Sequence, residues 1–154
     1  MELILWRHAE AAVGEPDEGR ALTGKGHKQA WKMADWLDRN LPNTCKILSS
    51  PAVRTVQTAE ALGRKFKIHA DLAPGCTPQQ LLAAANWPDS REAVLIIGHQ
   101  PTLGQVAAML IAGESQGLSI RKGSAWWIAQ RQRGDGTANY LKAVMSPDLV
   151  VGGK

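Results

Sequence analysis

The sequence predicts an α/β fold: a mainly parallel sheet with helices on both faces and a C-terminal antiparallel hairpin. Three observations carry this expectation. Residues 3–6, 46–48 and 93–97 are short, continuous apolar or near-apolar runs, the pattern of strands covered on both faces. Segments of helical period separate them, and strand–helix alternation of this kind implies right-handed crossovers between parallel strands. The end of the chain breaks the alternation: AWWIAQRQ (125–132) and ANYLKAVM (138–145) read as two strands about a turn at Asp135-Gly136, placed at the sheet edge.

Each element has a local justification. The first strand, 3–6, leads into a loop at 14–19, GEPDEG, longer than an ordinary strand–helix connection. Thr23 stands as N-cap to a first helix whose apolar stripe is Ala30, Met33, Ala34, Leu37 and Leu41, closed by Pro42. After the second strand, Pro51 opens a helix striped by Ala52, Val56, Ala59, Leu62 and Phe66. A weak strand at 67–69 and a short helix over 78–86 follow. Beyond the strand at 93–97, Pro101 opens a helix striped by Leu103, Val106, Ala107, Leu110 and Ile111, and Gly113 ends it.

Composition limits the function classes. The 154 residues suffice for one domain, 1–154, with its own core and no need of staples. Two cysteines, Cys45 and Cys76, form no CxxC, and no histidine pair has zinc-finger spacing, so a reducing, cytoplasmic setting is expected. No stretch is long and apolar enough for a membrane span or a signal peptide. The formal net charge of +4 favours anionic partners mildly, and the scatter of basic residues does not point to nucleic acid. A monomer is expected. The six tryptophans read as core and hairpin surface, since only Trp126 and Trp127 adjoin and they face opposite ways on a strand.

In open α/β sheets ligands bind beyond the carboxyl ends of the strands. The first strand exits into Arg7-His8, the second into Ser49-Ser50-Pro51 with Arg54 following, and the fourth into Gly98-His99. Arginine offers a planar fork of donors that never loses its charge, so paired arginines suit a tetrahedral oxyanion or a carboxylate. Histidine is a nucleophile towards phosphorus when neutral and a cationic donor when protonated. Phosphoryl transfer asks chiefly for positioning and charge neutralisation, which such a ring supplies without a metal or other cofactor. Alone, each residue reads as structural or solvated. Their convergence from three strand exits is what points to chemistry, whereas His27 and His69 lack that placement and are read as structural.

Three decoys fail. GRALTGKG, 19–26, resembles a phosphate-binding loop, but Gly26 stands where a Ser or Thr must reach Mg²⁺. HAE, 8–10, matches half a zinc-deaminase signature without its P-C-x-x-C. His8, Glu10 and His99 could gather a cation, but the neighbouring arginines would repel it, so no metal is expected.

RHAEA from Arg7, SSPAVRTVQTAE from Ser49 and IGHQP from Ile97 resemble the motifs of the histidine phosphatase superfamily, also called phosphoglycerate mutase-like. RALTGKGHKQA from Arg20 is similar to a stretch of its small bacterial phosphohistidine phosphatases, the SixA type. The likeness covers nearly the whole chain. It implies that His8 becomes phosphorylated, that Arg7 and Arg54 grip the phosphoryl oxygens, and that His99 donates to them, with Arg20 as a further contact. Larger members carry insertions that roof the pocket and supply a carboxylic acid for an alcohol leaving group. Here little chain lies between Arg54 and His99, and Asp71, in ADLAPG, is either a proton donor or a loop residue. An open site and an imidazole leaving group then favour a phosphohistidine-bearing protein, a phosphotransfer domain or a phosphocarrier, as partner. A phosphomonoesterase of a small metabolite and a non-catalytic phosphate-binding module stand as alternatives.

Overall fold

A computed structural model describes residues 1–114 and 116–151. In chain order its elements are β1 (Glu2–Arg7), α1 (Gly24–Asn40), β2 (Lys46–Ser49), α2 (Val53–Glu60), β3 (Lys67–Ile68), α3 (Pro78–Ala84), β4 (Val94–Gly98), α4 (Thr102–Ala112), β5 (Ala125–Arg133) and β6 (Gly136–Met145). The sheet order is β3–β2–β4–β1–β5–β6. The first four of these run parallel and the last two are antiparallel, so the predicted class and the terminal hairpin are both present.

Strand alternation builds the two-sided core. Ile4, Trp6, Leu95 and Ile97 pack with Met33, Ala34 and Leu37 of α1 and Ala59 of α2. The intervening residues Leu3, Leu5, Val94 and Ile96 pack on the other face with Leu81 of α3 and Leu103, Val106 and Ala107 of α4. Each fully buried Leu or Ile contributes roughly 2 kcal/mol, and both faces of the central strands collect it. Trp127 joins the first layer and Trp126 the second, as neighbours on one strand must.

Sequence and structure differ at element ends. The hairpin turns at Gly134-Asp135, one residue earlier than expected, because Arg133 pairs with Gly136 and Gly134 takes φ 58°. A glycine with positive φ at the first central position is the favoured two-residue hairpin pattern. Helix α2 stops at Glu60, and Gly63, at φ 73°, turns the chain away; Leu62 and Phe66 reach the core from beyond the helix. Helix α3 ends at Ala84, short of the left-handed Asn86. Strand β3 has only two residues, both exposed at the sheet edge, and Ile111 of α4 lies on the solvent side.

One close approach holds α1 against the exit of β1. A Cβ on Gly26 would lie 2.0 Å from the Glu10 carbonyl oxygen, so the glycine of the phosphate-loop lookalike serves packing. Gly26→Ala is expected to destabilise the fold by about 3 kcal/mol through overpacking. Chemical denaturation measures it, and an unchanged midpoint would show that α1 shifts freely.

Candidate active site

Strand register brings the singled-out residues to one rim. Arg7 lies opposite Gly98, so Arg7-His8 and Gly98-His99 leave the sheet side by side. Ser49 pairs with Ile97, which puts Ser50 and the start of α2 at the same edge. The His8 and His99 rings lie 5.4 Å apart between centroids, tilted by 55°. With Arg7, Arg20 and Arg54 they line a cavity of about 270 Å³, completed by Ala11, Pro74, Gln100 and Lys122.

The arginines are pinned from behind. Arg54 donates through one terminal nitrogen to the Asp17 backbone oxygen at 2.8 Å and through the other to the Asp17 carboxylate at 3.1 Å. Arg7 donates to the Ile120 carbonyl at 2.9 Å. Their Nε–H groups are buried and have no partner, and the same holds for Nδ1 of His99. His99 Nε2 lies 2.7 Å from Ser50 Oγ, which also accepts from the Ala52 N–H. A Ser50 hydroxyl that donates to Nε2 leaves the His99 proton on Nδ1, the unpartnered nitrogen.

His8 has one defined tautomer. Its Nδ1 lies 2.7 Å from the Ala9 carbonyl, which can only accept, so Nδ1 carries the proton. Burial, helped by the charges of Arg54 and Arg7, lowers the His8 pKa to about 4. His99 is lowered to about 3 by burial and then by His8 and Arg54. Near neutral pH, His8 therefore presents an unprotonated Nε2 lone pair.

The remaining expectations divide. Arg20 lines the cavity but also donates to Asp17 and to the Ala12 carbonyl. Asp71 is exposed and is not among the residues lining the cavity, so the structure does not bring it to the other four. His69 accepts from the Asp71 N–H as the cap of a short 3-10 turn, and His27 packs near Trp31, both structural placements.

Asp17 and Lys122 were not singled out from sequence. Asp17 lies in the loop flagged as overlong, and the hydrogen bond from Arg54 holds its carboxyl below the usual carboxylate range. Lys122 sits in an aperiodic segment after α4 that carries no sequence signal. The same segment cradles the β1 exit: the Gly123 N–H donates to the Arg7 and His8 carbonyls, and Trp6 Nε1 donates to the Gly123 carbonyl.

Fold and rim together suit a protein that handles an anionic group such as a phosphoryl. Residues 3–76 match the model of the histidine phosphatase superfamily (branch 1). Phosphohistidine phosphatase SixA of Escherichia coli K12 is 30% identical over 158 residues, covering 96% of this chain and 94% of that protein. The structure of the protein histidine phosphatase SixA complexed with tungstate superposes with a TM-score of 0.77 at 26% identity, covering 96% and 98% of the two chains. A Nakamurella multipartitia protein bearing the SixA name shares the fold at a TM-score of 0.80 and 24% identity, over 95% of each chain. The chain belongs to the histidine phosphatase superfamily, and it is a phosphatase of the SixA-like branch.

The two buried imidazoles make stability depend on pH. Unfolded, each titrates near 6.5; folded, at about 4 and about 3. The unfolded chain therefore holds more protons in that interval, and stability, complete above about pH 6.5, falls as pH drops through it. A His8→Gln, His99→Gln double variant should lose less stability between pH 7 and about 4.5 than the parent. Denaturation at both pH values tests this, and equal losses would mean that the imidazoles are not buried neutral.

Proposed function

We propose that the chain is a phosphohistidine phosphatase that removes the phosphoryl group from an N-phosphorylated histidine on a partner protein through a phospho-His8 intermediate. One observation carries the reading: His8, its Nε2 unprotonated, lines one cavity with Arg7, Arg54 and His99, each of which has a buried side-chain nitrogen with no protein partner. The relative bound to tungstate, a tetrahedral oxyanion, supports it.

In the first step His8 Nε2 attacks phosphorus and the P–N bond to the substrate imidazole breaks. The leaving ring takes the electron pair and departs neutral when its other nitrogen is protonated. Arg7, Arg54 and His99 donate to the equatorial oxygens as charge gathers there. Phosphate oxygens close by favour a protonated His99, against the effect of burial. In the second step water attacks phosphorus, the P–Nε2 bond breaks, and His8 returns neutral while the water proton passes to phosphate or solvent. No metal or cofactor enters the scheme.

The site is open where a roof would sit. Of residues 61–93 only Pro74 lines the cavity, while α3 packs beneath the sheet with α4. Such a pocket suits a phosphoryl group displayed on a protein, a phosphotransfer domain or a phosphocarrier. A monomer in the cytoplasm fits this role, as do the free thiols of Cys45 and Cys76.

His8→Ala should abolish turnover and the acid-labile ³²P label on the enzyme; a label that survives would remove His8 from its role. His99→Ala should lower kcat roughly 100- to 1000-fold with far-UV circular dichroism unchanged. A phosphohistidine protein should be turned over faster than aryl and alkyl phosphates, and a preference for the esters would defeat the assignment.

A further inference from the structure

A second concavity adjoins the catalytic pocket and shares Arg7 and Lys122 with it. It encloses about 660 Å³ between α1 and the segments around 119–122 and 146–148. Six cationic side chains line it: Arg7, Lys25, Lys28, Lys32, Arg121 and Lys122. Two carboxylates, Glu10 and Asp148, oppose them, and these accept hydrogen bonds from Thr23 and Ser146. The local excess of four positive charges equals the formal net charge of the whole chain, so the remaining surface is balanced.

The arrangement comes from sequence spacing. Lys25, Lys28 and Lys32 stand at i, i+3 and i+7 of α1, on one face of the helix, while Ala30, Met33, Ala34 and Leu37 take another face into the core. None of the ion pairs among the described residues engages these three lysines, Arg121 or Lys122. Like charges gathered without partners repel one another, and an anionic surface relieves that repulsion. A solvated lysine face would ordinarily be convex and remote from a site, whereas this one is concave and opens into the pocket.

We propose that this groove docks an acidic helical face of the phosphohistidine-bearing partner while its phosphorylated imidazole enters the adjoining pocket. The proposal rests on the phosphohistidine reading of that pocket. Lys25 to Lys32 spans roughly 10 Å along α1, about two turns, so carboxylates at i, i+3 or i+4, and i+7 of a partner helix match it. Nucleic acid fits less well, because the lining holds no aromatic side chain on which a base could stack and two carboxylates interrupt it.

The test uses the full chain carrying Lys25→Glu, Lys28→Glu and Lys32→Glu, side chains outside the reacting set. Two substrates are compared: an acidic histidine phosphotransfer domain phosphorylated with phosphoramidate, and phosphoramidate itself. On the phosphorylated domain kcat/KM should fall about ten-fold or more, mainly through KM, and its salt dependence should flatten. Turnover of phosphoramidate should not change, which also reports an intact fold; the milder Lys→Gln triple should show a smaller loss in the same direction. Unchanged kcat/KM on the domain overturns the docking role, and so does an equal loss on both substrates. An RNA oligonucleotide that inhibits the parent but not the variant would give the groove to nucleic acid instead. A parent enzyme that hydrolyses phosphoramidate but leaves the phosphorylated domain untouched would defeat the phosphohistidine reading, and the docking role with it.

Discussion

Three side-chain nitrogens that the fold buries without partners set the terms for everything else in this molecule. Arg7 Nε, Arg54 Nε and His99 Nδ1 each forgo water, and an unsatisfied buried donor costs about 1–3 kcal/mol. The surrounding structure keeps them so. The outer nitrogens of Arg54 are bound to Asp17, one of those of Arg7 reaches Ile120, and Ser50 holds the far side of His99. The phosphoryl group proposed for this site would bring acceptors to the rim that these residues line. In the proposed reaction, side chains held from behind in this way leave little reorganisation for the chemical step.

The sheet makes that orientation possible. Parallel β1 and β4 deliver His8 and His99 from adjacent strands, and β2 delivers Ser50 from the next one. Apolar side chains on both faces of these strands fix their register, because a slip of one residue would exchange the two core layers. Burial then acts on the imidazoles that emerge. It strips their protons near neutral pH, and the neighbouring arginines act in the same direction. The nucleophilic role proposed for His8 needs a neutral ring, and burial, with the neighbouring arginines acting in the same direction, provides one.

Most of this was legible in the sequence, and the exceptions have physical causes. Continuous apolar runs marked β1, β2 and β4, and chemistry-bearing residues at their exits marked His8, Arg7, Arg54 and His99 before any coordinates. Those signals are local, and topology alone converts them into proximity. Asp17 was hidden because its role depends on where a long loop folds back, 37 residues ahead of the arginine it binds. The support of Arg7 by 120–124 was hidden because backbone carbonyls do that work and carry no side-chain signature. The hairpin turn moved by one residue because two glycines flank Asp135, and the choice between them rests on backbone conformation.

The placement of carboxylates bears on what can leave. An alkoxide leaving group needs a proton from an acid that is still protonated near neutral pH. Asp71 is outside the cavity, and Asp17, the carboxylate that meets Arg54, has its pKa lowered by that hydrogen bond and is ionised there. An ionised Asp17 can orient arginines but has no proton to give. A phosphoimidazole already protonated on its other nitrogen expels a neutral ring, whose conjugate acid has a reference pKa near 6.5, with no proton from the enzyme, whereas an alcohol ester does not. The carboxylate that fixes Arg54 is therefore no proton source, and a reaction that needs none suits the proposed phosphohistidine substrate better than an ester.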